Sequence, residues 1–169
     1  MKHRAFLGLG SRDGERASMI TEALLLLSQR EVGIERVSGL YETAPVDLPG
    51  SRPLLNAVAE VATTKDPEQL LMSCLEVETL LGRRRAPERP DRGPRPIDLD
   101  ILFFDDLVKG GPGLIIPHPR LHLRKFVLIP LAEIAPHLRH PVLGQEVATL
   151  LAACDDTSWV RPYRVETLR

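Results

Sequence analysis

The order of the apolar segments along the chain indicates the fold class. Hydrophobic alternation predicts strands at about residues 4–9, 33–43 and 54–63, and helical spacing predicts a first helix at about 14–30. Asp13 is placed to cap the start of that helix. Strands that follow one another in hairpin-like pairs, with helices between the pairs, favour an α+β sandwich over a doubly wound parallel sheet.

Length, charge and cysteine content set the broad class. The 169 residues are predicted to form one domain, 1–169, long enough to bury a sizeable core. The net charge of −1 argues against nucleic-acid binding, which usually requires an excess of Lys and Arg. The apolar run at 23–27 is too short to span a bilayer. Cys74 and Cys154 have no metal-binding spacing, so no zinc site is expected. Because the apolar stretch at the N-terminus is also too short for a signal peptide, we expect a reduced, cytoplasmic protein without a membrane partner.

A second helix carries signals at both of its ends. Asp66 is a natural N-cap, Pro67 suits the first helical position, and Gln69 completes a capping box. Gly82 is predicted to end the helix. Its buried stripe is predicted to consist of Leu70, Cys74, Val77 and Leu81.

An arginine-rich loop at 83–96 precedes an apolar strand at 97–104. The loop holds six arginines and four prolines, so it is predicted to be extended and irregular. Alternation along the strand places Asp98 and Asp100 on one face together with Leu102 and Phe104, and it places Ile97, Leu99, Ile101 and Phe103 on the other. Two carboxylates this close repel one another unless a cation compensates.

This arrangement has a chemical and a structural interpretation. Same-face carboxylates can hold Mg²⁺ through oxygen ligands, and arginines beside them can hold phosphate, which indicates a phosphoryl-transfer site. A solvated acidic strand face beside a solvated basic loop explains the same residues without chemistry. Two other functions stay open, a Mg²⁺-dependent phosphohydrolase that activates water and an RNA-binding domain that uses the arginine loop. The neutral charge and the scarcity of aromatics disfavour the RNA-binding domain.

Several single residues also have two interpretations. Asn56 lies inside an apolar run, where either a heterocycle or a neighbouring strand can satisfy its amide. His118 lies between prolines and makes either a structural hydrogen bond or a phosphate contact. Phe126 belongs to the core or stacks on a ring. Glu78 is expected to be partly buried and paired with an arginine, and the GLGS run at 8–11 is interpreted as a strand-to-helix turn.

The last third of the chain shows weaker signals. Residues 105–117 are predicted to form a short strand pair across a glycine-rich turn. A helical turn and a helix are predicted between 119 and 135, with Pro130 in the first turn or at a kink. A last short helix at 146–154 precedes a polar tail.

The chain resembles the 6-hydroxymethyl-7,8-dihydropterin pyrophosphokinase family of folate biosynthesis. The resemblance rests on GSR, YETAPV, LLNAV, E-x-x-x-GR-x-R, GPRPIDLDIL and IPHPRLHLRKFVLIPLAEIAP, which follow in this order over nearly the whole chain. It implies that the protein transfers diphosphate from its co-substrate ATP to the hydroxymethyl group of the pterin and releases AMP. It also implies a monomer with a three-layer α/β/α sandwich of ferredoxin-like kind and a mainly antiparallel sheet.

The resemblance implies a role for each of a set of site residues. Asp98 and Asp100 would bind two Mg²⁺ ions and act in catalysis with Arg83, Arg85 and Arg95. The ATP side would be formed by Glu78, Ile101, His118 and Arg124, and the pterin side by Thr43, Val46, Asn56 and Phe126. Loops at about 44–53 and 84–95 would close over both substrates. Leu54 and Arg92 stand where other members carry aromatic residues, so ring stacking would rest mainly on Phe126.

Overall fold

The computed structural model of the protein describes residues 1–12, 15–44, 52–85 and 96–164. The elements in these ranges are β1 (His3–Ser11), α1 (Arg16–Ser28), β2 (Val32–Val37), β3 (Leu40–Thr43), β4 (Leu54–Thr63), α2 (Pro67–Arg85), β5 (Ile97–Phe104), a 3₁₀ turn (Leu121–Leu123), α3 (Lys125–Ile134), α4 (Val147–Ala153) and β6 (Val160–Tyr163). No helix in the described part of the chain has the length and hydropathy that a bilayer span requires.

The strands form one sheet in the order β5-β1-β4-β3-β6, and β2 also pairs with β4. Every strand pair in it is antiparallel. Strand β4 has the predicted bounds and pairs with β1 from Leu55 to Thr63. On its other side, β4 pairs with β3 near Leu54 and with β2 near Thr63.

Two separate apolar cores lie on the two faces of this sheet. One core joins the sheet to α1 and α2 and contains Leu7, Leu27 and Leu70. The other joins it to α3 and α4 and contains Phe103 and Leu128. The predicted α+β fold, a three-layer α/β/α sandwich of ferredoxin-like kind with a mainly antiparallel sheet, is therefore confirmed.

Helix α2 begins as the capping box predicts. The backbone N–H of Gln69 donates to Asp66 Oδ1 at 2.8 Å, and the backbone N–H of Asp66 donates to Gln69 Oε1 at 2.9 Å. The predicted stripe is buried, with Leu70, Cys74, Val77 and Leu81 all at most 1% exposed. The helix continues past Gly82 to Arg85, so the predicted end at Gly82 and the predicted loop start at residue 83 are wrong. Glycine lowers helix propensity by about 1 kcal/mol, which the burial of this stripe outweighs.

The single strand predicted at 33–43 is two strands. Pairing with β4 is interrupted at Ser38, whose backbone N–H donates to the Val58 carbonyl at 2.9 Å. The Ser38 hydroxyl accepts from the Val58 N–H at 2.9 Å, so the side chain replaces a backbone partner and interrupts the strand.

Strand β5 departs from simple alternation at Leu102. Its register with β1 shifts between Phe6 and Leu7, so that Leu102 is an extra residue without a direct partner. Leu102 and Phe103 both lie in the core under α3, and Phe104 lies in the core under α2. The predicted faces of Phe103 and Phe104 are therefore wrong, whereas those of the preceding residues are as predicted.

The remaining elements differ from their predictions in detail. Helix α1 is Arg16–Ser28, shorter than predicted, and Asp13 lies outside the described residues. The strand pair predicted at 105–117 is reduced to one bridge between Lys109 and Ile116. Pro130 is an interior residue of α3. The tail predicted to be merely polar contains β6, an edge strand that pairs with β3.

Candidate active site

A cavity of about 640 Å³ opens on the face of the sheet that carries α3. Its walls come from β1, β4 and β5, from the turn before α3, and from the segment that follows α4. Its floor includes Gly8 and Gly10 of β1, which lie between Asn56 on one neighbouring strand and the two aspartates on the other. A Cβ atom on Gly10 would come within 3.1 Å of Asn56 Oδ1, so a side chain here would crowd the floor.

Asp98 and Asp100 both line this cavity, as their predicted common face requires. Their cross-strand partners are Gly10 and Gly8, so no side chain on β1 separates them from the cavity. Arg12 Nε and Nη2 each lie 3.3 Å from Asp98 Oδ2. This ion pair is partly solvated, since 33% of the Arg12 and 41% of the Asp98 side chain is exposed.

The donor set of the cavity fits Mg²⁺. Within the described ranges, no three or more His, Cys, Asp or Glu side chains converge as a metal-binding group. Mg²⁺ does not need such a group, because it is commonly held by one or two carboxylates together with waters and substrate phosphates. Asp98 and Asp100 supply two carboxylates on the wall of an open cavity, which leaves room for those further oxygen ligands.

Asn56 is buried on β4, on the other side of β1 from the two aspartates. Its Nδ2 donates to Thr43 Oγ1 at 2.8 Å, and the two residues are 7% and 2% exposed. A neighbouring strand therefore satisfies one amide hydrogen, through a side chain rather than the backbone. Asn56 itself lines the cavity, and Thr43 supports it from β3.

Three of the predicted ligand-binding side chains form the wall opposite the sheet. His118, Arg124 and Phe126 all line the cavity and are all partly exposed. The Arg124 guanidinium lies 5.5 Å from the centre of the Phe126 ring, within the range of a cation–π contact. Phe126 is thus available on the cavity wall rather than enclosed in the core.

The hydrogen bonds of His118 define the role of each ring nitrogen. Its Nδ1 accepts from the backbone N–H of Arg120 at 3.1 Å, so Nε2 carries the proton of the neutral ring. Burial lowers the pKa of His118, and Arg124 and Arg120 lower it further, while Asp100 acts in the opposite direction. A neutral His118 can donate one hydrogen bond from Nε2 at physiological pH.

Two predicted nucleotide-side residues do not line the cavity. Glu78 lies on α2, against the other face of the sheet, and is 7% exposed. Its Oε2 accepts from the backbone N–H of Leu99 at 2.7 Å. Ile101 is 4% exposed and belongs to the core under α1 and α2. These two residues support β5 from the face opposite the aspartates.

The structure describes none of four further predicted side chains. Val46 and Arg95 fall in ranges beyond the described residues, as do most of the two loops predicted to close over the substrates. Arg83 and Arg85 belong to the last turn of α2, but their side chains are also outside the described part.

Cavity residues that the sequence did not single out include Arg12, Arg120, Asp156 and Ser158. Arg12 belongs to the GSR motif and Arg120 to the HPR motif, so both had a signal in residues adjacent to the predicted site. Asp156 and Ser158 had none, because their approach to the cavity depends on how the chain returns after α4.

Comparison with known proteins finds a family whose model matches most of the chain. The model of the family described as 7,8-dihydro-6-hydroxymethylpterin-pyrophosphokinase (HPPK) matches residues 6–136. A 2-amino-4-hydroxy-6-hydroxymethyldihydropteridine pyrophosphokinase of Methylorubrum extorquens is 39% identical over 154 residues, which is 90% of this chain and 94% of that protein. The protein of the same name from Bacillus subtilis is 38% identical over 147 residues, 86% of each chain.

Longer proteins match as well, over part of their length. A folic acid synthesis protein of Pneumocystis carinii is 40% identical over 144 residues, and this chain covers 19% of it. The crystal structure of an HPPK-DHPS in complex with substrates has a TM-score of 0.69 at 16% identity, and the similarity covers 90% of this chain and 43% of that one. That likeness supports the fold. Together with the family match over residues 6–136, the relatives show that this chain belongs to the HPPK family, the pyrophosphokinases of folate biosynthesis.

Proposed function

We propose that the cavity binds ATP and 6-hydroxymethyl-7,8-dihydropterin side by side and catalyses the transfer of diphosphate between them. The pterin hydroxyl oxygen forms a bond to the β-phosphorus of ATP, and the bond from that phosphorus to the α,β-bridging oxygen breaks. AMP leaves with the bonding electron pair, and the hydroxyl proton is released. The observation that carries this proposal is that one cavity is lined by both predicted groups, the carboxylate pair with His118 and Arg124, and Asn56 with Phe126.

Asp98 and Asp100 would hold Mg²⁺, and two ions are predicted. Bound Mg²⁺ neutralises phosphate charge, aligns the attacking oxygen and lowers the pKa of the hydroxyl. The carboxylates themselves fix the position of this charge on a strand whose other face is buried. A site held on a strand of the sheet loses little geometry to motion, which favours an in-line transfer.

The phosphates would be held by cationic and neutral donors. His118 donates from Nε2, and Arg124 presents a guanidinium with several N–H donors. Arg83, Arg85 and Arg95 are proposed to add phosphate contacts, and Arg95 is proposed to act mainly in the chemical step. Glu78 and Ile101 are proposed to shape the nucleotide side through β5, which they support.

The pterin would lie over the glycine floor. Asn56 offers its amide to the donor and acceptor edge of the heterocycle, while Thr43 fixes the orientation of that amide. Phe126 stacks on the ring, and Val46 would contribute backbone groups. Leu54 also lines the cavity, so an aliphatic side chain lies where the resemblance implies an aromatic one.

The setting of the enzyme is also proposed. We propose a monomer in the cytoplasm, where the reducing conditions would keep Cys74 and Cys154 free, as they are in the structure. Burial raises the pKa of the Cys74 thiol to about 12, so it is an inert core group rather than a nucleophile. ATP and the pterin are the proposed partners, without nucleic acid.

A product assay tests the proposal. The protein is incubated with ATP, Mg²⁺ and 6-hydroxymethyl-7,8-dihydropterin, and AMP, ADP and the pterin products are separated. We expect one AMP for each pterin diphosphate, and we expect Asp100→Asn to reduce the rate by roughly a thousandfold. The control Asp106→Asn removes an exposed carboxylate beyond the end of β5 and should leave the rate unchanged. Release of ADP with free phosphate, or of AMP without pterin, would refute the proposal in favour of a hydrolase.

A further inference from the structure

The segment after α4, which the family match does not cover, contributes to the cavity. The match to the family ends at residue 136, yet Asp156 and Ser158 line the cavity. This segment, Asp156–Tyr163, reaches the two walls proposed to hold the pterin.

Asp156 caps the helix that carries Phe126. Its Oδ2 accepts from the backbone N–H of Lys125, the first residue of α3, at 3.0 Å. Its Oδ1 accepts from the backbone N–H of Ser158 at 2.9 Å, and this hydrogen bond is the main reason that the pKa of Asp156 lies below its usual value. Arg124, the residue at the N-cap position of α3, makes no side-chain cap hydrogen bond to the described residues. An ionised carboxylate at this end of a helix is also favoured by the helix dipole.

The same segment braces the other wall. Strand β6 pairs with β3, with Val160 opposite Thr43. The backbone N–H of Ala44 donates to the carbonyl of Trp159 at 3.3 Å, just beyond the end of β3. Thr43 accepts the hydrogen bond from Asn56, so the segment is linked to Asn56 through one intervening residue.

We infer that Asp156 is a positioning residue for pterin binding, which acts by holding the N-terminus of α3, and with it the Phe126 ring, against the cavity. The inference rests on the proposed pterin role of Phe126. Asp156 acts through the backbone of Lys125, the residue before Phe126. A shift of this backbone would move the Phe126 ring and change how it stacks on the pterin. Arg124 lies at the same end of the helix, but the proposed phosphate contacts are shared with His118 and with arginines of other segments, so they depend less on this helix end.

The test is substrate affinity in the full chain. Dissociation constants for the pterin are measured by calorimetry with Mg²⁺ and α,β-methylene ATP present, and those for the ATP analogue are measured separately. We expect Asp156→Ala to weaken pterin binding about five- to tenfold, since loss of a helix cap has an effect of this order. Nucleotide binding and kcat should change less than twofold. Asp156→Asn keeps one acceptor oxygen and should lose less affinity than the alanine variant.

Two further variants separate the possible outcomes. Asp155→Ala removes the exposed neighbouring carboxylate and should behave as the wild type. Phe126→Ala tests the assignment on which the inference rests and should weaken pterin binding about tenfold. If Phe126→Ala weakens binding but Asp156→Ala does not, the positioning role is wrong and the site assignment stands. If Phe126→Ala has no effect, both fail. Equal losses of pterin and nucleotide affinity in Asp156→Ala would indicate a general structural role and would also overturn the inference.

Discussion

Arg12 should compete with metal ions for Asp98. Two of its guanidinium nitrogens lie 3.3 Å from Asp98 Oδ2, the kind of oxygen that a divalent cation must engage. A metal that binds through this oxygen has to displace the guanidinium or share the carboxylate with it. Substitution Arg12→Ala should therefore strengthen metal binding, even though it removes a polar residue from the cavity.

The size of the effect follows from the solvation of the pair. Because about a third or more of each side chain is exposed, the pair belongs with surface salt bridges, which contribute roughly 0.2–1 kcal/mol. Removing the competitor should lower the dissociation constant of the metal by up to about fivefold. Arg12→Lys keeps the charge but loses the fork of two donors, so its effect should be smaller.

Mn²⁺ binding measured by electron paramagnetic resonance on the free protein gives the required readout without turnover. The control is Arg4→Ala. Arg4 lies on β1 away from the cavity, and its substitution removes a salt bridge to Glu60 of β4. Its Mn²⁺ affinity should equal that of the wild type. Weaker Mn²⁺ binding in Arg12→Ala would refute the reasoning, because it would mean that Arg12 holds Asp98 in the conformation that binds metal.

Three other perturbations have defined outcomes. Asp98→Ala and Asp100→Ala should each nearly abolish turnover. The free energy of unfolding, measured with urea, should change little for Asp100→Ala, because the repulsion between the two carboxylates is relieved. Near-normal turnover in both variants would reject the metal assignment. Asp66→Ala should lower the free energy of unfolding by about 1 kcal/mol through loss of the capping box, without changing kcat. Burial lowers the pKa values of His118 and His140 in the folded protein. As the pH drops below about 6.5, the unfolded state therefore binds more protons than the folded state, and the free energy of unfolding should fall. Replacing both histidines by glutamine should flatten urea-derived stability between pH 7 and 5.5, and an unchanged slope would contradict this origin.

Sequence reasoning succeeded where a local pattern determines the structure. The capping box at Asp66 and Gln69 involves residues three apart, and both hydrogen bonds are present. The common face of Asp98 and Asp100 depends only on strand alternation over three residues. Strand β4 is buried between two partners, so its apolar run marks both of its ends.

It failed where a partner distant in sequence decides the outcome. Strand β6 has four residues and contains Pro162, a poor strand signal that is tolerated because β6 lies at the sheet edge. Asp156 caps a helix that begins 31 residues earlier, so no local capping pattern identifies it. The extension of α2 past Gly82 likewise depends on the burial of residues in its preceding turns.

The bulge at Leu102 shows why the site itself is only partly predictable. The register shift is a property of the β1–β5 pair, and neither strand's sequence shows it alone. It sends Phe103 into the core under α3, and the carbonyl of Leu102 accepts a hydrogen bond from the backbone N–H of His118 at 3.0 Å. The distortion therefore helps to hold His118 on the wall of the cavity that Asp98 and Asp100 line. Alternation predicts the direction of the two acids, but the position of the histidine beside them depends on a break in that alternation.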